Sequence, residues 1–244
     1  MLQSRYKLCE LFGIPIYVNI SFAFLLFIFV MDFGDLLFGV AAALVLAISV
    51  TLHELGHALT ARAFGYRTND ITLSLLGGCA SLIALPRKAW QEFLTALAGP
   101  LVSFFLAIVA LLAREIFQVQ NAWLWGVLYY MMWMNFMLGA FNLLPGFPMD
   151  GGRIFRSVMR LFLNRANATL VAMWVGRVFA ILLGFRGLHS MMSGGSWGFV
   201  SILIAWMIWK EGYREYQAAL ADERWSRWSQ DDFRARVSPP PYEQ

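Results

Sequence analysis

The chain is poor in charge, in cysteine and in histidine. Only 14% of its 244 residues are Asp, Glu, Lys or Arg, against about a quarter in ordinary soluble domains. So few charges cannot clothe a water-facing globule. With 59% hydrophobic residues and a mean hydropathy of +0.60, the composition is that of a polytopic membrane protein. The two cysteines, Cys9 and Cys79, lie far apart without metal-type spacing, which excludes a disulfide framework and a thiolate cluster. There is no internal repeat. No cleavable signal peptide is expected, because MLQSRYKLCELFGIPIYVN puts a polar, Gly-Pro-bearing lead before the first apolar run. The net charge of +4 would suggest nucleic acid in a soluble protein. Here the cations lie in loops between apolar runs, so no nucleic-acid partner is expected and the cations act as topology signals.

Histidine is scarce too, with three in the whole chain, and two of them share one apolar stretch. Residues 39–64, GVAAALVLAISVTLHELGHALTARAF, begin as a membrane-grade helix and then carry His53, Glu54 and His57. Ionisable groups at bilayer depth are costly and mark functional sites by default. Positions i and i+4 share a helix face, so His53 and His57 can grip one metal ion, and Glu54 then stands beside an open coordination position, placed to take a proton from water. Shuffling this composition would give His-Glu-x-x-His in roughly one chain in a thousand. The competing account is a pair of hydrogen-bonded core histidines.

Six membrane spans are expected: 19–32 (extended by flanking residues to 37), 39–64, 89–113, 122–144, 166–185 and 197–209. The first and last are short for a hydrocarbon core that takes about 20 helical residues to cross. Residues 13–18 read as a brief strand. Residues 70–85 alternate with period two (Ile71, Leu73, Leu75) around Gly77-Gly78, the signature of a β-hairpin dipping into the membrane beside the metal helix. Gly99-Pro100 gives the third span a kink or a close helix approach. The fold class is therefore an α-helical polytopic membrane protein with a small membrane-dipping β-sheet or hairpin. Residues 1–18 form a surface segment with a short strand, 19–213 the six-helix domain, and 214–244 a charged, flexible tail.

All of the 19 Lys and Arg except Arg114, Arg177 and Arg186 fall on one side of such a six-span arrangement. The positive-inside rule then places both termini in the cytoplasm of a cell whose inner membrane holds the protein, with the His-Glu-x-x-His motif toward that face.

A catalytic metal site of this kind needs a third protein ligand. His189 falls on the opposite side. The best remaining group is Asp150, in NLLPGFPMDGGR at 142–153. There two prolines force an extended loop and two glycines permit a tight turn that can aim a carboxylate back at the depth of His57. The alternative is that Asp150 N-caps an amphipathic helix beginning near Arg153.

HELGH at 53–57 together with NLLPGFPMDGGR at 142–153 resembles the site-2 proteases, intramembrane zinc metalloproteases whose pattern is His-Glu-x-x-His on one helix and Asn-x-x-Pro-x-x-Pro-x-Asp-Gly on a later one. The match holds at Asn142, Pro145, Pro148, Asp150 and Gly151. Ser103 stands where many members place Asn. The likeness, over roughly residues 10–213, is to a compact form without CBS or PDZ domains. It implies one Zn²⁺ per chain held by His53, His57 and Asp150. Glu54 would be general base, and Asn142 a candidate donor to the developing oxyanion. The implied substrate is a single-span membrane protein within the lipid bilayer. Its helix must unwind, and it can add as a strand along the open edge of the hairpin at Leu73, Leu75, Gly77 and Gly78. The rival readings are a metal transporter and a catalytically silent helix-binding scaffold.

Among weaker signals, Arg177 inside the fifth span is expected to snorkel or to satisfy carbonyls, and Asn135 to bond across helices. The row Arg153, Arg156 and Arg160 is expected to form a lipid-facing basic stripe.

Overall fold

The computed structural model describes residues 5–74, 77–82, 86, 88–118, 120–194 and 198–237. The chain forms two compact units, 1–144 and 145–244.

The first unit opens with strands β1 (Arg5–Leu11) and β2 (Ile14–Asn19), an antiparallel pair closed by a two-residue turn with Leu11 opposite Ile14. Helices α1 (Ile20–Asp32) and α2 (Leu36–Ala63) follow, then the antiparallel strands β3 (Thr68–Ser74) and β4 (Gly77–Leu82). Each helix start is defined by its sequence. The Asn19 side chain accepts from Ser21 N–H at 2.9 Å, and Asp35 accepts from Leu37 and Phe38 N–H at 2.8 and 3.2 Å. β2 and β3 pair in parallel, Ile16 opposite Ile71 and Val18 opposite Leu73. A parallel pair needs a long crossover, and the α1–α2 hairpin supplies it. The result is one four-stranded sheet in the order β1-β2-β3-β4, with α1 and α2 packed on it. Ile14, Ile16, Phe22, Val50, Leu55, Ala58, Ile71 and Leu73 form the buried seam between them.

The expected hairpin therefore exists and packs beside α2, but it belongs to a larger sheet. β1 was not expected as a strand, because Arg5, Lys7 and Glu10 break its apolar pattern and its residues are exposed. Gly77-Gly78 is not the turn: both glycines stand within β4, opposite Ser74 and Leu73.

Helices α3 (Ala89–Ile116) and α4 (Ala122–Asn142) complete this unit. α3 runs unbroken through Pro100. Asn135 of α4 is fully buried and donates to Ser49 Oγ of α2 at 2.9 Å, the expected interhelical bond.

The second unit holds α5 (Asp150–Met159), α6 (Arg165–Met192) and α7 (Gly198–Val237). α6 and α7 pair along their lengths. The segment from residue 214, expected to be flexible, continues as helix to Val237 and is tied down. Arg165 meets Asp222 at 2.9 Å, and Glu223 accepts from the Ala166 N–H at 2.8 Å. The expected basic stripe is also overturned at its centre: Arg156 is only 1% exposed and pairs with Glu215 of α7 at 2.9 Å. Arg177 of α6 packs against aromatic rings. Its guanidinium lies between two indoles, 4.8 Å from the Trp174 ring and 4.5 Å from the Trp209 ring.

Among the described residues four helices are long and apolar enough to cross a membrane: α2, α3, α4 and α6. A 28-residue helix is about 42 Å long, ample for a core of about 30 Å. α1, with 13 residues, reaches only about 20 Å, and in α7 the apolar run ends at Trp209.

Candidate metal centre

The site grows from the face of α2 that meets α3. His53 and His57 are both buried, at 3% and 9% exposure. Their Nε2 atoms stand 3.2 Å apart. Each Nδ1 is engaged elsewhere: His57 Nδ1 lies 2.7 Å from the Thr95 carbonyl and His53 Nδ1 lies 2.8 Å from Ser103 Oγ, both on α3. A carbonyl can only accept, so His57 Nδ1 carries the hydrogen and its Nε2 presents a lone pair. With His53 Nδ1–H donated to the serine hydroxyl, both Nε2 lone pairs aim at one point. This is the usual arrangement of metal-binding imidazoles, in which the second ring nitrogen is fixed by an outer partner.

The spacing fits as well. Two ligands on bonds of about 2.0–2.1 Å at a tetrahedral angle stand about 3.3 Å apart. Gly99 makes the room. A Cβ at that position would lie 2.2 Å from His57 Nε2 and 2.7 Å from His53 Nε2. Gly56 serves the same approach from α2, where a Cβ would meet the Ala98 carbonyl oxygen at 3.0 Å. The Gly-Pro signal at 99–100 thus marks a close approach of α3 to α2. The residues present fit a tetrahedral divalent ion.

Glu54 follows His53 on α2 and is half-buried. Asn142 is the last residue of α4; its amide Nδ2 donates to the Leu138 carbonyl at 2.9 Å, which commits one of its two hydrogens. Leu73 is not on an open edge. It is buried, with Val18 of β2 on one side and Gly78 of β4 on the other. Of the substrate-edge residues expected from sequence, Gly77 and Gly78 do lie in the outermost strand, and Leu75 lies outside the described residues.

In the second unit Asp150 is the first residue of α5, 9% exposed. It is not the N-cap: that position belongs to Met149, whose side chain makes no capping bond. The turn before it is short, with Met149 N–H donating to Gly146 O at 3.0 Å and Gly152 N–H to Met149 O at 3.1 Å. The capping account of Asp150 therefore fails, and its carboxylate sits in the first turn, where the helix dipole favours negative charge.

The residues that sequence reasoning missed are Thr95 and Gly99 as partners of the histidines, and Ser103 as the partner of His53. The Gly-Pro dipeptide was a signal for Gly99. A threonine carbonyl leaves none.

A membrane-grade composition and a buried His pair with both outer ring nitrogens anchored on α3 define a membrane protein with a candidate metal centre. Residues 41–122 and 115–184 match peptidase family M50, and the chain belongs to that family. A zinc metalloprotease of Methanocaldococcus jannaschii is 35% identical over 187 residues, covering 76% of this chain and 54% of its own length. A Synechocystis protein provisionally named a zinc metalloprotease is 33% identical over 250 residues, covering 95% of this chain and 65% of its own. This chain thus spans a little over half to two thirds of these relatives. Among solved structures, a site-2 protease from Methanocaldococcus jannaschii superposes with a TM-score of 0.64 at 30% identity, over 87% of this chain and 95% of that one. The resemblance to site-2 proteases is borne out, and with four apolar helices the protein is of multi-pass membrane type.

Proposed function

We propose that this chain is an intramembrane zinc metalloprotease that hydrolyses peptide bonds in or near transmembrane helices of single-span membrane proteins. The observation that carries the reading is the pair of Nε2 atoms 3.2 Å apart, each ring held by its other nitrogen. Relatives named as zinc metalloproteases support zinc as the ion and weigh against a transporter or a silent scaffold. His53, His57 and Asp150 would hold it. Zinc, when bound, supplies a Lewis acid that polarises a carbonyl and lowers the pKa of water to about 7. Glu54, next to His53, takes the proton from the attacking water and returns it to the leaving amine. Asn142 keeps one amide hydrogen for the carbonyl oxygen as it gains charge.

The substrate is an apolar helix that must open. Two features support a path for it. An apolar cleft of about 540 Å³ between α2 and α4 is lined by Leu46, Met134, Met137, Leu138, Phe141 and Leu144. The outer edge of β4 is the strand edge to which an unwound segment would add, exchanging internal hydrogen bonds for intermolecular ones. In this reading α1 and the start of α7 are the fifth and sixth spans, both termini are cytoplasmic, and the site lies toward the cytoplasmic face of the inner membrane.

The test is Glu54→Gln in proteoliposomes with a single-span substrate. Cleavage should fall by about 10²–10⁴-fold, the span of general-base catalysis, with zinc stoichiometry unchanged. Proteolysis at the wild-type rate would end the reading. Zinc flux that survives the substitution, without proteolysis in the wild type, would favour a transporter.

A further inference from the structure

Among the described residues Arg156 heads the fully buried side chains by volume. A guanidinium in such a place is stable only when paired and hydrogen-bonded. Its Nη1 donates to Glu215 Oε2 of α7 at 2.9 Å, and Arg153 adds a weaker approach to the same carboxylate at 3.9 Å. The other face of the group is apolar: it lies over the Phe147 ring, 5.0 Å from the centroid. Phe147, 1% exposed, is in the middle of the turn that leads into Asp150.

That turn is held on three sides. Gly146 rests on α6, where a Cβ at 146 would lie 2.9 Å from the Gly176 Cα. Gly152 closes it from α5, since a Cβ there would lie 2.7 Å from the Gly146 carbonyl carbon. The third side is the Arg156 plane over Phe147. The first two are backbone contacts within and beside the turn. The third depends on a charge supplied from 59 residues away by α7.

We infer that Arg156 and Glu215 are positioning residues for Asp150: the ion pair from α7 clamps Phe147 and so fixes the direction in which the first-turn carboxylate of α5 is presented. The inference rests on the reading of Asp150 as a metal ligand. A ligand has to be held within about 0.5 Å of its working place by neighbours that are themselves locked. Met149 contributes no capping bond, so the turn carries that task. Breaking a partner of a ligating group characteristically weakens metal binding by 10–100-fold. Two further contacts, Arg165 to Asp222 and Ala166 N–H to Glu223, hold α7 against α6 without touching the turn. They are the natural control.

The experiment uses the full chain in detergent micelles. Zinc affinity is measured by competition with a chromogenic chelator, and amide exchange over 146–152 is followed in the metal-free protein. Glu215→Gln should weaken zinc binding about ten-fold and speed exchange in the turn. Because it also strands the Arg156 charge, a second variant removes both charges. Arg156→Met with Glu215→Gln should recover thermal stability yet keep the ten-fold weaker zinc binding. Wild-type affinity in that double variant would overturn the inference, leaving the pair a role in folding alone. Equal weakening by Asp222→Asn would overturn it too, since the effect would not be specific to the turn. Wild-type zinc affinity in Asp150→Asn, with binding lost in His53→Ala, would instead remove the ligand reading on which the inference stands.

Discussion

Ser103 Oγ lies 2.8 Å from Nδ1 of His53, with the serine fully buried on α3 and the histidine 50 residues earlier on α2. The contact fixes the rotation of the imidazole and the nitrogen left for a ligand. Ser103→Ala should therefore weaken zinc binding by about 10–100-fold, read by chelator competition, with little change in helix content. Unchanged affinity would show that packing alone orients His53.

Gly99 sets two effects against each other. In a helix interior Ala is favoured over Gly by about 1 kcal/mol, so Gly99→Ala should help α3 as a helix. Its Cβ would nevertheless fall 2.2 Å from His57 Nε2, on backbone that cannot retreat without moving α3. The expected outcome is loss of stoichiometric zinc, by metal analysis of the purified protein, with helix content by circular dichroism preserved. Full zinc occupancy in this variant would mean that α3 can move aside.

Glu215 gives the protein an acid limit. Burial pushes its carboxyl up, but Arg156 and Arg153 beside it, the hydrogen bond from Arg156 and the charge of Arg165 outweigh that and hold it below the ordinary value of 4.5. The folded pKa is thus below the unfolded one. The contribution to stability is complete above the ordinary value and is lost as pH falls through the folded value. Protease cleavage in α7 should rise as pH is lowered below about 4.5, and Glu215→Gln should flatten that dependence. A profile identical in the two proteins would exclude Glu215 as its source.

The bond from Asn135 to Ser49 joins α4 to α2 at a fully buried position. Interhelical side-chain bonds in membranes average about 0.6 kcal/mol. Ser49→Ala should cost about that much in a denaturation titration in mixed micelles, and Asn135→Ala about 1–3 kcal/mol, because its amide also donates to Met131 O and its volume leaves a void. A double-mutant cycle should return a coupling near the smaller figure.

What the sequence determined by itself is local. The i, i+4 spacing put His53 and His57 on one face, apolar length marked α2, α3, α4 and α6, period-two alternation marked the β3–β4 pairing, and Pro, Gly and Asp announced the turn before α5. Each is a contact between near neighbours, which periodicity and turn chemistry encode directly. The tertiary structure decided what joins distant segments: Thr95 and Ser103 behind the imidazoles, Leu73 as an interior rather than an edge residue, Arg156 buried against Glu215, and the charged end of α7 as a packed helix. Those pairings span 38 to 59 residues. A carbonyl partner carries no side-chain signature, and a buried arginine looks like an exposed one until its carboxylate is brought to it, so only the folding of one element onto another reveals either.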